Sequence, residues 1–211
     1  AGILSEMKKF VLPNDYPDMS SSLMHIYLIE AGPRLLAGMS EESSAHAEQF
    51  LREMGVNILL NKRVVDYRDH KVVLEDGTEI ATRTFIWVSG VTGVTIGNLD
   101  ASLIGRGGRI KVDSFNRVEG MNNVFAIGDQ CIQLADENYP NGHPQLAQVA
   151  IQQGELLAKN LIRMEKGQEM KPFHYRNLGS MATVGRNRAV AEFSKVKMQG
   201  WFAWVMWLVD R

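Results

Sequence analysis

The segment VFAIGD at residues 124–129 is followed along the chain by a helical pattern, PQLAQVAIQQG, at residues 144–154. The first segment is apolar until its end and predicts a short strand that is buried on both faces, as in a parallel sheet. It ends in Gly128 and Asp129, and ligands of open α/β sheets bind beyond the carboxyl ends of the strands. A glycine there admits a ligand close to the backbone, and a carboxylate accepts hydrogen bonds from ligand hydroxyls.

The second segment predicts a helix with Pro144 at its first position. Small residues share one face of this helix, which could lie against a sheet or a flat ring; they are Ala147, Ala150, Gly154 and Ala158. A second face carries three glutamines, at positions 145, 148 and 152. Two interpretations stay open. The strand end and the positive end of the helix either frame one ligand, or they are a polar loop and an ordinary surface helix.

Both segments resemble motifs of known families. VFAIGD is similar to the second flavin-contacting motif of FAD-dependent pyridine-nucleotide oxidoreductases, and this motif alone marks only the superfamily. AQVAIQ at residues 147–152 resembles the Ala-Gln-x-Ala-x-Gln motif of type II NADH dehydrogenases, the single-subunit NADH:quinone oxidoreductases, and is much more specific. The resemblance covers the whole chain but only the C-terminal part of that family's sequence.

The resemblance implies FAD and NADH as cofactors and a quinone as electron acceptor. It implies FAD contacts at Gly128, Asp129, Ala147 and Gln148, and quinone contacts at Gln148 and Gln152. The positive end of the helix near Ala147 would stabilise negative charge on the reduced flavin. The flavin carries the chemistry, so we expect no catalytic side chain and no metal site. The expected reaction passes a hydride from NADH to FAD and electrons on to the quinone of a respiratory chain, without proton pumping.

A second candidate site follows the strand pattern at residues 24–30, which ends in Glu30 and continues into Ala31 and Gly32. An acid at the end of the second strand of a dinucleotide-binding sheet accepts hydrogen bonds from the adenine ribose, and it repels a 2′-phosphate. The alternative is a solvated glutamate, and Arg34 nearby could tolerate that phosphate. With the resemblance, we expect Glu30 and Ala31 to contact NADH rather than NADPH.

Further elements of the nucleotide-binding part are a helix over residues 41–54 capped by Ser40, a strand over 56–60 and a three-stranded meander over 64–80. Residues 85–91 predict a last, buried strand that resembles the family's Trp-Ala-Ala-Gly-Val segment. Its end, with Gly90 and Val91, is expected near the nicotinamide. A Gly-rich linker then leads to an edge strand over 109–113 and, after the long helix, to short strands within 173–193.

The expected fold is α/β and divides into three parts. Residues 1–92 form an incomplete Rossmann-like NAD(H)-binding domain, because no Gly-x-Gly-x-x-Gly turn occurs in the chain. Residues 93–165 form the returning, C-terminal part of an FAD domain, and residues 166–211 begin a small C-terminal α+β domain associated with a membrane. Residues 1–10 show helical spacing without a preceding cap, so we expect a fragment. Because it lacks the Gly-rich turns that bind the pyrophosphate groups, we expect it to be inactive on its own.

Residues 200–209 hold three of the four tryptophans, with Lys195, Lys197 and Arg211 nearby. This pattern suits a helix that lies on a membrane surface, and the alternative is a helix that covers the protein's own core. Members of the family are peripheral membrane proteins. The resemblance therefore implies a peripheral protein on the cytoplasmic side of a bacterial inner membrane, and we expect a homo-oligomer.

The composition excludes several classes of protein. The chain has 211 residues, 45% of them hydrophobic and 22% charged, with a net charge of −1, which argues against nucleic acid as a partner. Cys131 is the only cysteine, so a dithiol site is excluded and a small buried side chain is expected. A sulfide:quinone oxidoreductase would need redox cysteines. Another flavoprotein of the superfamily and a non-catalytic nucleotide-binding or interaction module stay open as alternatives.

Overall fold

The computed structural model describes residues 1–94, 96–193 and 196–209. The chain forms two compact units. The first comprises Ala1–Ile86 and Leu178–Arg211, and the second Trp87–Asn177. The mixture of helices and small parallel and antiparallel sheets confirms the expected α/β class. The three domains expected from the sequence stay a prediction.

The first unit begins with a helical segment. It consists of α1 (Gly2–Glu6), a wider π turn (Met7–Val11) and α2 (Leu12–Asp15). The parallel pair β1 (Ile26–Ile29) and β2 (Val56–Leu59) follows, joined through α3 (Glu41–Glu53). Ser40 caps α3, since its side chain accepts the N–H of Ser43, and Gly55 follows at a φ of +81°. Leu35, Leu51, Val56 and Ile58 form the core between helix and strands.

The predicted meander is confirmed in the first unit. Its strands are β3 (Val64–Arg68), β4 (Lys71–Leu74) and β5 (Glu79–Ala81), paired antiparallel in that order. Asp69 and His70 both have positive φ, of 49° and 58°, as a tight hairpin turn requires. The second turn uses Gly77 at a φ of +83°.

The chain's C-terminal part completes the first unit. The antiparallel strands β8 (Ser180–Gly185), β9 (Arg188–Phe193) and β10 (Val196–Gln199) are followed by α5 (Gly200–Val209). The inner side of α5 packs on this sheet through Ala203, which is fully buried against Ala189 and Ala191. Its other side exposes Trp201, Phe202 and Met206. Of the residues linked to a membrane helix, Lys195 and Arg211 lie outside the described residues.

No helix in the described part of the chain combines the length and the apolarity that crossing a membrane would take.

The second unit is built on a short parallel pair, β6 (Ile110–Val112) and β7 (Cys131–Gln133). Helix α4 (Ala147–Glu165) follows. Cys131 is buried, as expected, in a core with Ile110, Val112 and Val118. A second core joins Val149 of α4 to Phe173 and Tyr175. The alternation predicted over 109–113 holds from residue 110, where Ile110 and Val112 are buried and Lys111 is half-buried, but Arg109 is buried as well.

The strand predicted at residues 124–129 is wrong. The segment forms only an isolated bridge between Phe125 and Arg117, and Val124 is 42% exposed. Its backbone pairs with residues 116–118 on one side, and the chain then turns at Gly128. A strand needs a ladder on its edge, and an apolar composition cannot supply that neighbour.

The strand predicted at residues 85–91 is also wrong for the same reason. The segment belongs to no ladder among the described residues, and Ile86, Trp87 and Val88 are exposed rather than buried. The long helix is confirmed, but it begins at Ala147 and not at Pro144. The intervening residue Leu146 is extended, with φ −132° and ψ 145°, so the helical path cannot start earlier.

Candidate functional site

The turn at Gly128–Gln130 lies against the first turns of α4. Gly128 has a φ of +64°, and a Cβ added to it would stand 3.2 Å from the Cβ of Ala150. Its N–H donates to Oε1 of Gln153 at 2.7 Å, and its carbonyl accepts the N–H of Cys131. Only glycine satisfies both the left-handed backbone and this close approach to the helix without strain.

Two glutamine side chains fix the same turn from other directions. Gln145 donates from Nε2 to the carbonyl of Asp129 at 3.1 Å. The amide of Gln130 bonds the backbone of Val94 twice, at 2.9 Å to its N–H and at 2.7 Å to its carbonyl. Because the backbone is held in this way, the exposed residue Asp129 is presented from a fixed turn rather than from a free loop.

The first turn of α4 stands beside that acidic turn. The N-cap residue is Leu146, whose side chain cannot accept a hydrogen bond from the helix. Ala147 is exposed and Gln148 half-buried. The first turn of α4 carries the partial positive charge of a helix N-terminus, which would stabilise an electron-rich group beside it. The structure thus brings Gly128 and Asp129 to the first turn of α4, where Ala147 and Gln148 lie.

The face of small residues on α4 serves packing within the unit. Ala150 contacts Gly128, and Gly154 faces the side chain of Ile127, whose Cδ1 would lie 3.8 Å from an added Cβ. The face of glutamines divides between two tasks. Gln145 bonds Asp129, whereas Gln152 bonds the backbone of Arg176 with both amide atoms, at 2.9 and 3.0 Å.

Sequence reasoning missed a set of buried polar side chains in the second unit. They are Arg109, Asn116, Gln133, Asp136, His143, Gln153 and Asn160. On α4 a signal was available, because Gln153 and Asn160 fall on the same helical stripe as the buried Val149. Both amides bond backbone groups, Gln153 at Gly128 and Asn160 at Lys171.

Loop 134–146, which leads into α4, contains a buried pair of titratable groups. Nε2 of His143 lies 2.9 Å from Oδ2 of Asp136, and both side chains are almost completely buried. The rings of Tyr139, Phe173 and Tyr175 surround the imidazole. Burial by itself would raise the pKa of Asp136, but the hydrogen bonds from His143 and from backbone N–H groups outweigh it and lower that pKa.

Arg109 fixes loop 134–146 through hydrogen bonds to backbone carbonyls. Its Nε donates to the carbonyl of Cys131 at 2.6 Å, and a terminal guanidinium nitrogen donates to the carbonyl of His143 at 3.1 Å. Burial lowers the pKa of Arg109 and raises that of the Cys131 thiol. The path of the chain from β7 to α4 is thus set by charged and polar groups that face the interior.

In the first unit, Glu30 follows β1 as predicted. Its Oε1 accepts the N–H of Gly32 at 2.7 Å, and Ala31 is exposed beside it. The guanidinium of Arg34 donates to the carbonyls of Met39 and Ala37, at 2.6 and 2.9 Å. Arg34 thus closes its own loop and is not directed at the strand end.

Gly90 and Val91 belong to the second unit, while Glu30 and Ala31 belong to the first, so neither unit by itself contains all four. Gly90 has a φ of +78°, and a Cβ added to it would meet no atom of the described residues within 4 Å. Val91 is exposed.

Residues 1–154 match the family described as pyridine nucleotide-disulphide oxidoreductase. The chain belongs to this family. Membership in the pyridine nucleotide-disulphide oxidoreductases agrees with FAD and NADH as the predicted cofactors. The assignments of single residues to these cofactors and to a quinone stay predictions.

Curated relatives in this family extend the comparison. The type II NADH:quinone oxidoreductase NdhA of Mycobacterium tuberculosis is 33% identical over 99% of this chain and 46% of its own length. The internal alternative NAD(P)H-ubiquinone oxidoreductase A1, mitochondrial, of Arabidopsis thaliana is 33% identical over 87% of this chain and 39% of its own. The chain spans about half the length of the curated relatives it matches. The predicted resemblance to type II NADH:quinone oxidoreductases is confirmed.

A solved structure agrees at the level of fold. NDH2 of Plasmodium falciparum in complex with NADH has a TM-score of 0.86 and 18% identity, over 99% of this chain and 58% of its own.

Proposed function

We propose that this chain is part of a flavoprotein that transfers a hydride from NADH to FAD and then electrons to a quinone, without proton pumping. The observation that carries the proposal is the turn at Gly128 and Asp129 packed on the first turn of α4. Similarity to type II NADH:quinone oxidoreductases over 99% of the chain supports the same reaction.

The residues at this turn fit a flavin. Gly128 lets the turn lie close against α4, and the carboxylate of the exposed Asp129 can accept hydrogen bonds from the hydroxyls of the cofactor's ribityl chain. Ala147 and Gln148, in the first turn of α4, would lie at the electron-rich edge of the ring, where the helix dipole stabilises negative charge. When bound, the flavin supplies the hydride and electron chemistry. The protein binds and orients it.

NADH contacts are proposed within each unit, at Glu30 and Ala31 in the first and at Gly90 and Val91 in the second. Oε1 of Glu30 is held by Gly32, which leaves its other carboxylate oxygen for the adenine ribose. Arg34 is engaged with loop carbonyls, which supports NADH over NADPH. Ala31 would border the ribose, and Gly90 and Val91 would approach the nicotinamide.

Quinone contacts are proposed at Gln148 and Gln152. The amide of Gln152 is engaged with Arg176, so Gln152 would contact a quinone through its aliphatic stem and would support the site by holding residue 176 in place.

We also propose that the protein lies peripherally on the cytoplasmic side of a bacterial inner membrane. Trp201 is 54% and Phe202 71% exposed on one side of α5, and aromatic rings of this kind insert into the headgroup region of a bilayer. A homo-oligomer is part of the proposal.

The proposal is tested on the full-length protein. We expect a flavin absorption spectrum, bleaching of that spectrum by NADH without oxygen, and its recovery on addition of a soluble quinone. A protein without flavin would indicate a non-catalytic module. Bleaching by NADH without recovery by any quinone would indicate a reductase of the same superfamily with another acceptor.

A further inference from the structure

Gln153 contacts the candidate flavin turn from inside the protein. Its side chain is 1% exposed, and its Oε1 accepts the N–H of Gly128 at 2.7 Å. We propose that Gln153 is a positioning residue, whose buried amide oxygen selects the backbone conformation of Gly128 that directs Asp129 toward the flavin. This inference rests on the proposed function, since it needs a flavin at Asp129.

The turn needs such a partner because of its glycine. Glycine populates positive and negative φ about equally, so Gly128 does not by itself choose the value of +64°. A hydrogen bond to its N–H fixes the peptide plane that precedes it, and contact with Ala150 fixes its distance from α4. The carbonyl of Gly128 accepts the N–H of Cys131, which fixes the peptide plane that follows, and the two fixed planes together set the direction of Asp129.

An amide at this position is not explained by packing. Position 153 lies on the buried stripe of α4 with Val149, where an apolar side chain of the same size would fill the space. A buried amide costs free energy unless it is hydrogen-bonded. The Sγ of Cys131 lies 3.7 Å from Oε1 of Gln153 and 3.5 Å from the carbonyl oxygen of Gly128. Burial raises the pKa of this thiol, so it stays protonated and can donate its one proton to either oxygen. The backbone N–H of Gly128, at 2.7 Å, is therefore the main partner of the buried amide oxygen.

Asn160 provides a matched control on the same helix. It is also 1% exposed, and its amide bonds the backbone of Lys171 twice, at 2.8 and 2.9 Å. It lies two turns beyond Gln153 on the same stripe and contacts a segment after α4 rather than the turn at Gly128. Loss of either amide removes buried hydrogen bonds, but only loss of Gln153 changes a contact of the flavin turn.

The experiment compares the variants Gln153→Met, Gln153→Asn and Asn160→Leu with the parent, all as full-length protein. Methionine keeps the unbranched shape and removes the acceptor. For each protein, FAD is titrated into the apoprotein to obtain Kd, the visible spectrum of the bound flavin is recorded, and thermal unfolding of the apoprotein is followed. We expect Gln153→Met to raise the Kd for FAD about tenfold or more. The Kd of Gln153→Asn should lie between those of Gln153→Met and the parent. Asn160→Leu should lower the unfolding temperature about as much as Gln153→Met does, but its Kd for FAD should differ from the parent's by less than about twofold.

Equal changes in Kd for Gln153→Met and Asn160→Leu would overturn the inference, because Gln153 would then act only on stability. A parent that binds FAD, together with a Gln153→Met variant of unchanged Kd and spectrum, overturns it while the proposed function stands. A parent that binds no FAD overturns both. If Gln153→Met does not fold, Gln153→Asn decides, and an unchanged Kd in that variant overturns the inference.

Discussion

Oε1 of Glu30 accepts the backbone N–H of Gly32 at 2.7 Å, so the strand-end carboxylate is held by the residue two positions after it. A carboxylate in this fixed orientation can bond a ribose with its other oxygen and repel a 2′-phosphate. If Glu30 binds the adenine ribose as proposed, the backbone of this loop would contribute to the choice between NADH and NADPH.

Replacement of Glu30 by Gln should reduce the preference for NADH over NADPH. The amide removes the negative charge that repels the 2′-phosphate, so the ratio of the two kcat/KM values should fall about tenfold, or 1.4 kcal/mol. Steady-state rates of the full-length enzyme with both nucleotides measure this. Glu75→Gln, an exposed change in the same unit, is the control. A ratio that stays within about twofold of the parent's would refute the ribose role of Glu30.

The variant Gly32→Ala should weaken NADH binding without loss of the fold. The added Cβ would come to 3.2 Å from Oε1 of Glu30, so the carboxylate must move. We expect KM for NADH to rise about threefold to tenfold. Gly38→Ala in the same loop is the control, because a Cβ there has no neighbour within 4 Å in the part of the chain that the structure describes. Equal KM values for the two variants would show that Gly32 does not position Glu30.

Replacement of Gln152 by Ala should affect quinone reduction more than reduction of the flavin by NADH. It removes both hydrogen bonds to the backbone of Arg176, so residue 176 is no longer held in place beside the proposed quinone contact. Stopped-flow measurement of the two half-reactions decides the matter. If both rates fall by the same factor, the residue supports only the fold.

Asp136 should give the stability of the second unit a dependence on acid pH. Its pKa lies below the ordinary value of 3.8 in the folded state, so its contribution to stability is fully present above that value. The contribution is lost as the pH falls through the folded pKa. Asp136→Asn should cost about 1–3 kcal/mol at pH 7 and flatten this acid limb. Unfolding of full-length protein from pH 7 to pH 2 tests it, with the neighbouring exposed Glu137→Gln as control.

The double variant Trp201→Ser with Phe202→Ser should bind lipid vesicles more weakly than the parent. Both side chains are exposed, so their loss should leave the unfolding temperature nearly unchanged. Co-sedimentation with vesicles containing anionic lipid measures the effect, and Tyr16→Ser, another exposed aromatic change, is the control. Undiminished binding by the double variant would rule out this side of α5 as the membrane contact.

Elements with local signals could be predicted from the sequence. Ser40 and Gly55 mark the two ends of α3, and the turns at 69–70 and at Gly77 define the meander. These signals act between residues a few positions apart, so they do not depend on contacts with distant parts of the chain. The strands expected at 85–91 and 124–129 failed because a strand is defined by its neighbour, which the segment itself does not encode.

The candidate site was predictable only in part. The resemblance pointed to Gly128, Asp129 and the start of α4, and the structure places them against one another. The contacts that hold them there join residues that are far apart in sequence, such as Gln153 with Gly128. Gln153 was overlooked because periodicity marks its position as interior, and a polar residue at such a position is recognised only when its partner is known.

The first unit is built from two stretches that are far apart in the chain, and this affects how it folds during synthesis on the ribosome. Met39 and Ala47 complete their core with Val190, and the N–H of Ser40 is bonded by the carboxylate of Glu192 at 2.9 Å. These contacts can therefore form only after the whole second unit has been translated, which takes on the order of ten seconds at about 5–20 residues per second. During that interval Met39 and Ala47 lack Val190, the side chain that completes their core. Slow codons within 87–177 would lengthen that interval.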